Sequence, residues 1–149
     1  MKIKAQPVPH VEARNLQRRI TVSAVGLQRF AQKAAALCLQ FPTSKKTDLQ
    51  QLDRVSVLII SDRRMAALHR RFMSELGPTD VLTFQHGEIF ISVETALRNA
   101  RRFGNALARE LELYIVHGLL HLNGFDDRDP AGTRKMRATE KKILHRLRR

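Results

Sequence analysis

Apolar residues recur along the chain with two different periods, and the change of period separates helices from strands. Residues 22–39 carry apolar side chains at helical spacing, which predicts a first helix. Residues 55–60 are instead a continuous run of β-branched residues and leucine, typical of a strand that is buried on both faces. Ser61 and Asp62 are good helix caps, so the pattern predicts a second helix that ends near Phe72.

The second half of the chain contains a hairpin pattern followed by helices. Two short apolar runs, residues 81–84 and 89–93, are separated by four residues that include Gly87, as in a β-hairpin. Three more helices are predicted over residues 95–102, 106–122 and 134–147. Strands in the middle of the chain with helices around them indicate an α+β fold. A length of 149 residues is typical of one domain, so we expect a single domain over residues 1–149.

The charge balance favours a polyanionic partner. The chain has 27 Lys and Arg against 14 Asp and Glu, a formal net charge of +13. Nucleic acid fits this excess, whereas a membrane-surface protein would also need an apolar or aromatic insertion face. The N-terminus does not resemble a signal peptide, and no apolar run is long enough to span a bilayer. We therefore expect a soluble, cytoplasmic protein with no membrane partner.

The lone cysteine, Cys38, excludes an intrachain disulfide. We interpret Cys38 as a small buried apolar residue, and we expect no disulfide-linked partner.

Two histidines on the helix predicted over residues 106–122 suggest a metal site. His117 and His121 are four residues apart and therefore adjacent on one helix face. Gly124 follows the helix and can adopt a positive φ that turns the chain back, which makes Asp127 a candidate third ligand. Two imidazoles and a carboxylate suit zinc, with a position left open for water. The alternative is a pair of hydrogen-bonded core histidines.

The residues around the histidines narrow the chemistry. Zinc peptidases of the HExxH type have a glutamate directly after the first histidine, and here that position is Gly118, which argues against a peptidase. Glu110 lies seven residues before His117 on the same face. It is predicted either to orient His117 from outside the ligand set or to form a surface ion pair.

The run HGLLHLNGFDD, residues 117–127, resembles the HGxLHLxGyDH signature of the YbeY family, metal-dependent endoribonucleases of bacterial ribosome biogenesis. PTDVLTF at residues 78–84 and GEIFIS at residues 87–92 resemble family blocks upstream of it. The resemblance continues near the end of the chain at Met136, Glu140, Ile143 and Leu144.

This resemblance implies both a fold and a function. The fold is α+β, with a small mixed sheet of about four strands and the metal site on a central buried helix. One zinc ion per chain is implied, with single-stranded RNA as the substrate. The implied roles are maturation of small-subunit ribosomal RNA and ribosome quality control, so the expected partners include ribosomal RNA and the small ribosomal subunit.

Two positions depart from the family pattern. Asp127 stands where the family has its third metal-binding histidine, and Met73 stands where the family usually has an arginine. A carboxylate is an accepted zinc ligand, but methionine cannot contact phosphate as a guanidinium does. Two functions are therefore weighed. One is a zinc-dependent endoribonuclease in which His117, His121 and Asp127 act through the metal. The other is a ribosome-associated RNA-binding factor with a structural metal and reduced or lost catalysis.

Basic residues near the predicted site are candidates for RNA binding. Arg70 and Arg71 lie just before Met73 and could supply its missing charge. The last helix carries a larger basic set, which comprises Arg134, Lys135, Arg137, Lys141 and Lys142. A solvated helix face is the alternative for each residue taken alone, but the group favours contacts with a phosphate backbone. In this hypothesis the ion polarises a phosphodiester oxygen or supplies hydroxide while the basic residues hold the strand.

Overall fold

A computed structural model describes residues 7–73 and 79–148. The side chain of Met73, and Pro78 in the first upstream block, lie outside the described residues. The strands are β1 (His10–Asn15), β2 (Arg54–Ile60), β3 (Val81–Phe84) and β4 (Glu88–Ser92). The helices are α1 (Ala24–Cys38), α2 (Asp48–Gln51), α3 (Asp62–Met73), α4 (Val93–Phe103), α5 (Leu107–Leu122) and α6 (Pro130–Leu147).

The strands form one mixed sheet in the order β1-β2-β4-β3. Strands β1, β2 and β4 are parallel, and β3 pairs antiparallel with β4 at one edge. The hairpin predicted from the two apolar runs is confirmed as β3 and β4. A four-stranded mixed sheet with helices packed against it also confirms the predicted fold class. Within the described residues, no helix is both long enough and apolar enough to cross a membrane.

Strand β2 is buried on both faces, as its continuous apolar run predicts. Val57 and Ile59 belong to the main core, which also contains buried residues of α1, α5 and α6. Leu58 and Ile60 point to the other face, where they pack with Met65 of α3. Full burial of an aliphatic side chain contributes about 1.5–3 kcal/mol, so both faces hold the central strand in place. Helices α3 and α5 consequently lie on opposite faces of the sheet.

Gly118 allows α5 to approach the sheet closely. A Cβ atom at this position would lie 2.8 Å from Cγ2 of Ile89, a fully buried residue of β4. Gly118 stands where an HExxH peptidase would have its glutamate, and in the structure its lack of a side chain allows α5 to contact Ile89. His117 directly precedes Gly118 on α5. The close approach of the helix to β4 therefore fixes the position of His117 relative to the sheet.

Three features differ from the sequence-based expectations. Strand β1 was not predicted, although Val11 and Ala13 are buried and alternate with polar neighbours. The short helix α2 interrupts a segment that reads as a polar loop. Helix α6 begins at Pro130 rather than near residue 134, because the Asp129 side chain accepts a hydrogen bond from Gly132 N at 2.6 Å and caps the helix.

Cys38 is fully buried, which confirms its interpretation as a small core residue.

Candidate metal centre

His117 and His121 present their Nε2 atoms to the same point. These two atoms lie 3.1 Å apart, and the rings meet edge to face with centroids 4.6 Å apart. The four-residue spacing on α5 makes the side chains neighbours, as expected from helix geometry. Both side chains are partly exposed, so their Nε2 atoms lie at the surface of a cleft rather than inside the core.

Asp127 joins the histidines because the chain turns sharply after α5. Gly124 adopts a φ of +92°, and a side chain there would collide with Thr43, so only glycine fits this turn. The turn brings Oδ2 of Asp127 to 3.6 Å from Nε2 of His117 and Oδ1 to 3.8 Å from Nε2 of His121. The positive φ predicted for Gly124 is confirmed.

The neighbouring carboxylate, Asp126, is held elsewhere. Arg128 donates to it through Nε, at 3.0 Å to Oδ1 and 2.8 Å to Oδ2, and Nη2 adds a contact of 2.6 Å. These hydrogen bonds hold the pKa of Asp126 below its ordinary value. Asp126 thus pairs with Arg128, whereas Asp127 lies near both histidines.

The three side chains fit a divalent metal ion. Their ligand atoms all lie within 4.8 Å of one another. A tetrahedral zinc site with bonds of about 2.0–2.1 Å has ligand atoms about 3.3–3.4 Å apart, close to the distances found here. Two imidazole nitrogens and a carboxylate oxygen are also donors that several first-row metals accept. His117, His121 and Asp127 could therefore hold a metal, whose identity the donor set does not specify.

The other ring nitrogen of each histidine is engaged by the protein. His117 donates from Nδ1 to Oε1 of Glu140 at 2.6 Å, and His121 donates from Nδ1 to the carbonyl of Phe125 at 3.0 Å. Each contact fixes the ring and leaves Nε2 free of a proton when the imidazole is neutral, which is the form that binds a metal. Glu140 comes from α6 and is almost entirely buried.

The two histidines differ in their acid–base properties. Burial by itself lowers the pKa of His117. The hydrogen bond and charge of Glu140, and to a smaller extent the charge of Asp127, raise that pKa above its ordinary value. Burial and the neighbouring His117 lower the pKa of His121. A protein without metal therefore binds a proton on His117 before His121, and that proton competes with a metal ion.

The sequence left two alternatives for Glu110, an orienting contact with His117 or a surface ion pair, and in the structure it is Glu140 that contacts His117. Glu110 is only 4% exposed and accepts a hydrogen bond from Asn105 at 3.2 Å. In the sequence Glu140 belongs to the family resemblance, and it is the lone acid within α6. A single acid at a buried position of a basic helix indicates a specific partner in the interior, and this pattern could have identified Glu140.

The predicted RNA-binding residues fall into two groups. Arg70 and Arg71 are exposed in the last turn of α3, on the face of the sheet opposite α5, away from the histidines. The other five are exposed along the outer side of α6, namely Arg134, Lys135, Arg137, Lys141 and Lys142. Arg137 also lines a cavity beside His117. The RNA contacts of both groups remain predictions.

Two cavities meet at the candidate metal ligands. One, of about 460 Å³, lies among α4, α5 and α6. The other, of about 530 Å³, lies between the end of α5 and the edge strand β3. His117 and Asp127 line both cavities. An extended ligand can therefore pass across the three candidate ligand side chains.

The fold and the site together define an α+β protein with a possible metal centre of two histidines and a carboxylate on a buried helix. The family model described as "Endoribonuclease YbeY" matches residues 12–148. The chain therefore belongs to the YbeY family, as its sequence motifs imply.

Individual relatives support this assignment, and one solved structure shares the fold. An Endoribonuclease YbeY of Anaeromyxobacter sp. (strain Fw109-5) is 38% identical over 99 residues, which are 60% of this chain and 52% of that protein. One of Thermobifida fusca is 35% identical over 115 residues, 66% of this chain and 74% of that protein. The match thus spans about half the length of the first relative. A solution structure from Thermotoga maritima, 24% identical, has a similar fold, with a TM-score of 0.64 over 92% of this chain and 88% of that one.

Proposed function

We propose that this protein is a metal-dependent endoribonuclease that cuts single-stranded RNA, and that it works as one domain over residues 1–149. The observation that carries the proposal is the convergence of His117, His121 and Asp127 on one point, with cavities on both sides. Membership in a family whose relatives are called endoribonucleases supports RNA as the substrate.

The protein's own residues would prepare this site before RNA binds. Glu140 and the Phe125 carbonyl hold the two rings in register, so little reorganisation is needed when an ion is bound. A bound divalent ion would supply the concentrated positive charge that stabilises a reacting phosphodiester. Arg137, which lines the cavity beside His117, and the other bases of α6 would hold the strand by its phosphates.

The open character of the site favours catalysis over a purely structural metal. Structural zinc sites are usually closed by four protein ligands, whereas catalytic sites have three and a free position. Within the described residues the group has three members, and the Asp127 side chain is 40% exposed. The proposed ion is zinc, one per chain, because imidazole and carboxylate donors suit it.

The biological substrate that we propose is precursor ribosomal RNA of the small subunit, with a role in ribosome quality control in the cytoplasm. This part rests on the family resemblance and on the net charge of +13. It is tested by incubating the protein with small subunits that carry unprocessed RNA. Failure to trim that RNA, while free single-stranded RNA is cut, would refute this part alone.

The central test is cleavage of a labelled single-stranded RNA with and without a chelator. We expect the chelator to abolish cleavage and added zinc to restore it. His121→Ala and Asp127→Asn should lose cleavage because each removes a metal donor. The matched controls are His145→Ala, an exposed histidine of α6, and Asp126→Asn, whose carboxylate points at Arg128.

The outcomes separate the two functions weighed from the sequence. Cleavage that survives the chelator or both site variants would refute the metal mechanism. RNA binding without cleavage, with zinc bound in stoichiometric amount, would establish the RNA-binding factor instead. Elemental analysis after zinc addition provides that stoichiometry, and a protein without bound metal would contradict both functions.

A further inference from the structure

The cavity among α4, α5 and α6 contains polar groups that the proposed metal chemistry does not use. Its volume of about 460 Å³ lies within the range of about 300–1,000 Å³ typical of small-ligand pockets. It opens beside His117 and Asp127 at one end, and Phe103, Asn99 and Glu110 line the other part. A group bound there would lie directly next to the candidate metal centre.

Two hydrogen-bonded pairs of side chains lie along the wall of this cavity. Asn99 donates from Nδ2 to the Tyr114 hydroxyl at 2.7 Å, and Asn105 donates from Nδ2 to Oε1 of Glu110 at 3.2 Å. Tyr114 and Glu110 line the cavity together, and burial with the nearby Glu110 carboxylate raises the pKa of Tyr114. Since the Nδ2 groups of Asn99 and Asn105 donate within these pairs, the groups offered to a ligand are mainly acceptors, above all the carboxylate of Glu110.

The charge of the cavity is opposite to that of the protein. Four carboxylates line it, against one guanidinium, that of Arg137; the acids are Asp80, Glu110, Asp127 and Glu140. Asp127 and Glu140 are engaged at the candidate metal centre, which leaves Asp80 and Glu110. A phosphate beside Glu110 would be repelled, although the protein as a whole carries a net charge of +13, so the phosphates are expected on the side of Arg137. A neutral group with N–H donors fits the cavity better. In a strand of RNA that group is the base rather than the backbone.

An aromatic side chain at the cavity provides a ring on which a nucleobase can stack. Phe103 is 64% exposed, which is unusual for a large apolar residue, and the guanidinium carbon of Arg102 lies 5.5 Å from its ring centroid. It is the last residue of α4, and Gly104 caps the helix behind it. Bases of single-stranded RNA stack on exposed aromatic rings in this way.

We propose that this cavity is a base-binding pocket of the RNA site, in which Phe103 stacks on a nucleobase and Glu110 accepts hydrogen bonds from its edge. Guanine is the base that fits best, because its Watson–Crick edge has two adjacent N–H donors that a carboxylate can accept together. The pocket would place a guanosine beside the bond that the metal centre cuts. This inference rests on the proposed function, since it assumes that the ligand is RNA.

The test measures binding rather than cleavage. Two labelled RNAs of about ten nucleotides are titrated in excess chelator, one of uridine alone and one with a single central guanosine. The readout is the ratio of their dissociation constants by fluorescence anisotropy. We expect the guanosine RNA to bind at least about fivefold more tightly, the lower end of what one stacked or bidentate base contributes.

Variants assign that ratio to the pocket. Phe103→Ala and Glu110→Gln should bring the ratio close to one. Phe72→Ala is a matched control, because Phe72 is also an exposed phenylalanine, 54% exposed, with an arginine stacked on its ring. Glu112→Gln is the control for the buried glutamate, since Glu112 lies on the same helix and pairs with Arg148 instead. Both controls should keep the wild-type ratio.

The possible failures are distinguishable. If both RNAs bind equally and metal-dependent cleavage persists, the pocket proposal is wrong and the proposed function stands. If neither RNA binds in chelator, the pocket proposal is wrong, and the cleavage assay with added zinc decides the proposed function separately. If Phe103→Ala weakens both RNAs by the same factor, Phe103 is a general contact and the base-binding proposal is overturned. Circular dichroism of Glu110→Gln checks that this buried change leaves the fold intact, and the exposed Phe103 tests the pocket independently.

Discussion

Glu140 provides the sharpest test of how the protein prepares its metal centre. Its Oε1 atom lies 2.6 Å from Nδ1 of His117, and it is 8% exposed. In Glu140→Gln the side chain keeps its length and one acceptor oxygen but loses its charge. The contact then changes from a charge-assisted hydrogen bond to a neutral one, which is roughly half as strong. We expect the fold to be retained and the metal site to be weakened.

The size of the effect follows from the geometry. Removal of a group that orients a metal-binding histidine typically lowers metal affinity by about 10- to 100-fold, or about 1.4–2.8 kcal/mol. The loss of metal affinity in Glu140→Gln should be near 10-fold, since the amide oxygen can still accept a hydrogen bond from Nδ1 of His117. Glu140→Ala should lie near the upper limit, because His117 then loses its partner and can rotate.

The assay is a zinc titration against a chelating dye at about pH 8, where proton competition at His117 is weakest. A second readout is the imidazole pKa of His117 in zinc-free protein, measured by NMR. It should fall in Glu140→Gln, because burial is then less opposed by a nearby negative charge. Glu112→Gln is the control and should change neither quantity. Wild-type zinc affinity in Glu140→Gln would refute the orienting role.

Three further predictions concern pH, acid stability and packing. The raised pKa of His117 predicts that zinc affinity falls as the pH decreases through that value, in titrations between about pH 5 and pH 8. Asp62→Asn should lower the free energy of unfolding by about 2 kcal/mol at neutral pH, because Asp62 accepts hydrogen bonds from Ser92, Thr95 and Arg98. Partial burial raises the pKa of Asp62, but these contacts lower it below 3.8, so the difference is present above that pH and is lost as the pH falls through the lowered value. Gly118→Ala should destabilise by about 1 kcal/mol in urea unfolding, since overpacking against Ile89 costs about 2 kcal/mol and improved helix propensity returns about 1 kcal/mol.

Each of these predictions has its own control. The pH profile of zinc binding should move to lower pH in Glu140→Gln, and a profile that stays in place would contradict the assignment to His117. Asp53→Asn changes an exposed aspartate and should leave stability nearly unchanged at every pH. Gly26→Ala, at an exposed position of α1, should be neutral or stabilising. Equal stability of Gly118→Ala and wild type would contradict the prediction, because it would mean that the Ile89 side chain repacks with no loss of stability.

Most helices and the central strand could be predicted because their signals are local. The apolar period of α1 and the β-branched run of β2 reflect which face is buried, and both elements formed within about two residues of the expected bounds. Strand β1 was missed because it has few apolar residues and depends on a partner far along the chain, with Val11 paired to Val55. Pairing over that distance leaves little trace in a short sequence window.

The sequence by itself determined the two histidines of the centre. An α-helix places residues four apart on one face whatever surrounds it, so His117 and His121 had to be neighbours once α5 formed. The turn at Gly124 was equally local, because glycine adopts a positive φ without the strain that a Cβ brings. The motif that contains both features also identified the family.

Tertiary structure alone decided how that pair is completed. Glu140 reaches His117 across 23 residues of sequence because α6 packs on α5. The acid-lined cavity exists only where α4, α5 and α6 meet, although the chain is strongly basic overall. Helix geometry specifies neighbours within an element, whereas contacts between elements depend on the packing of the whole core.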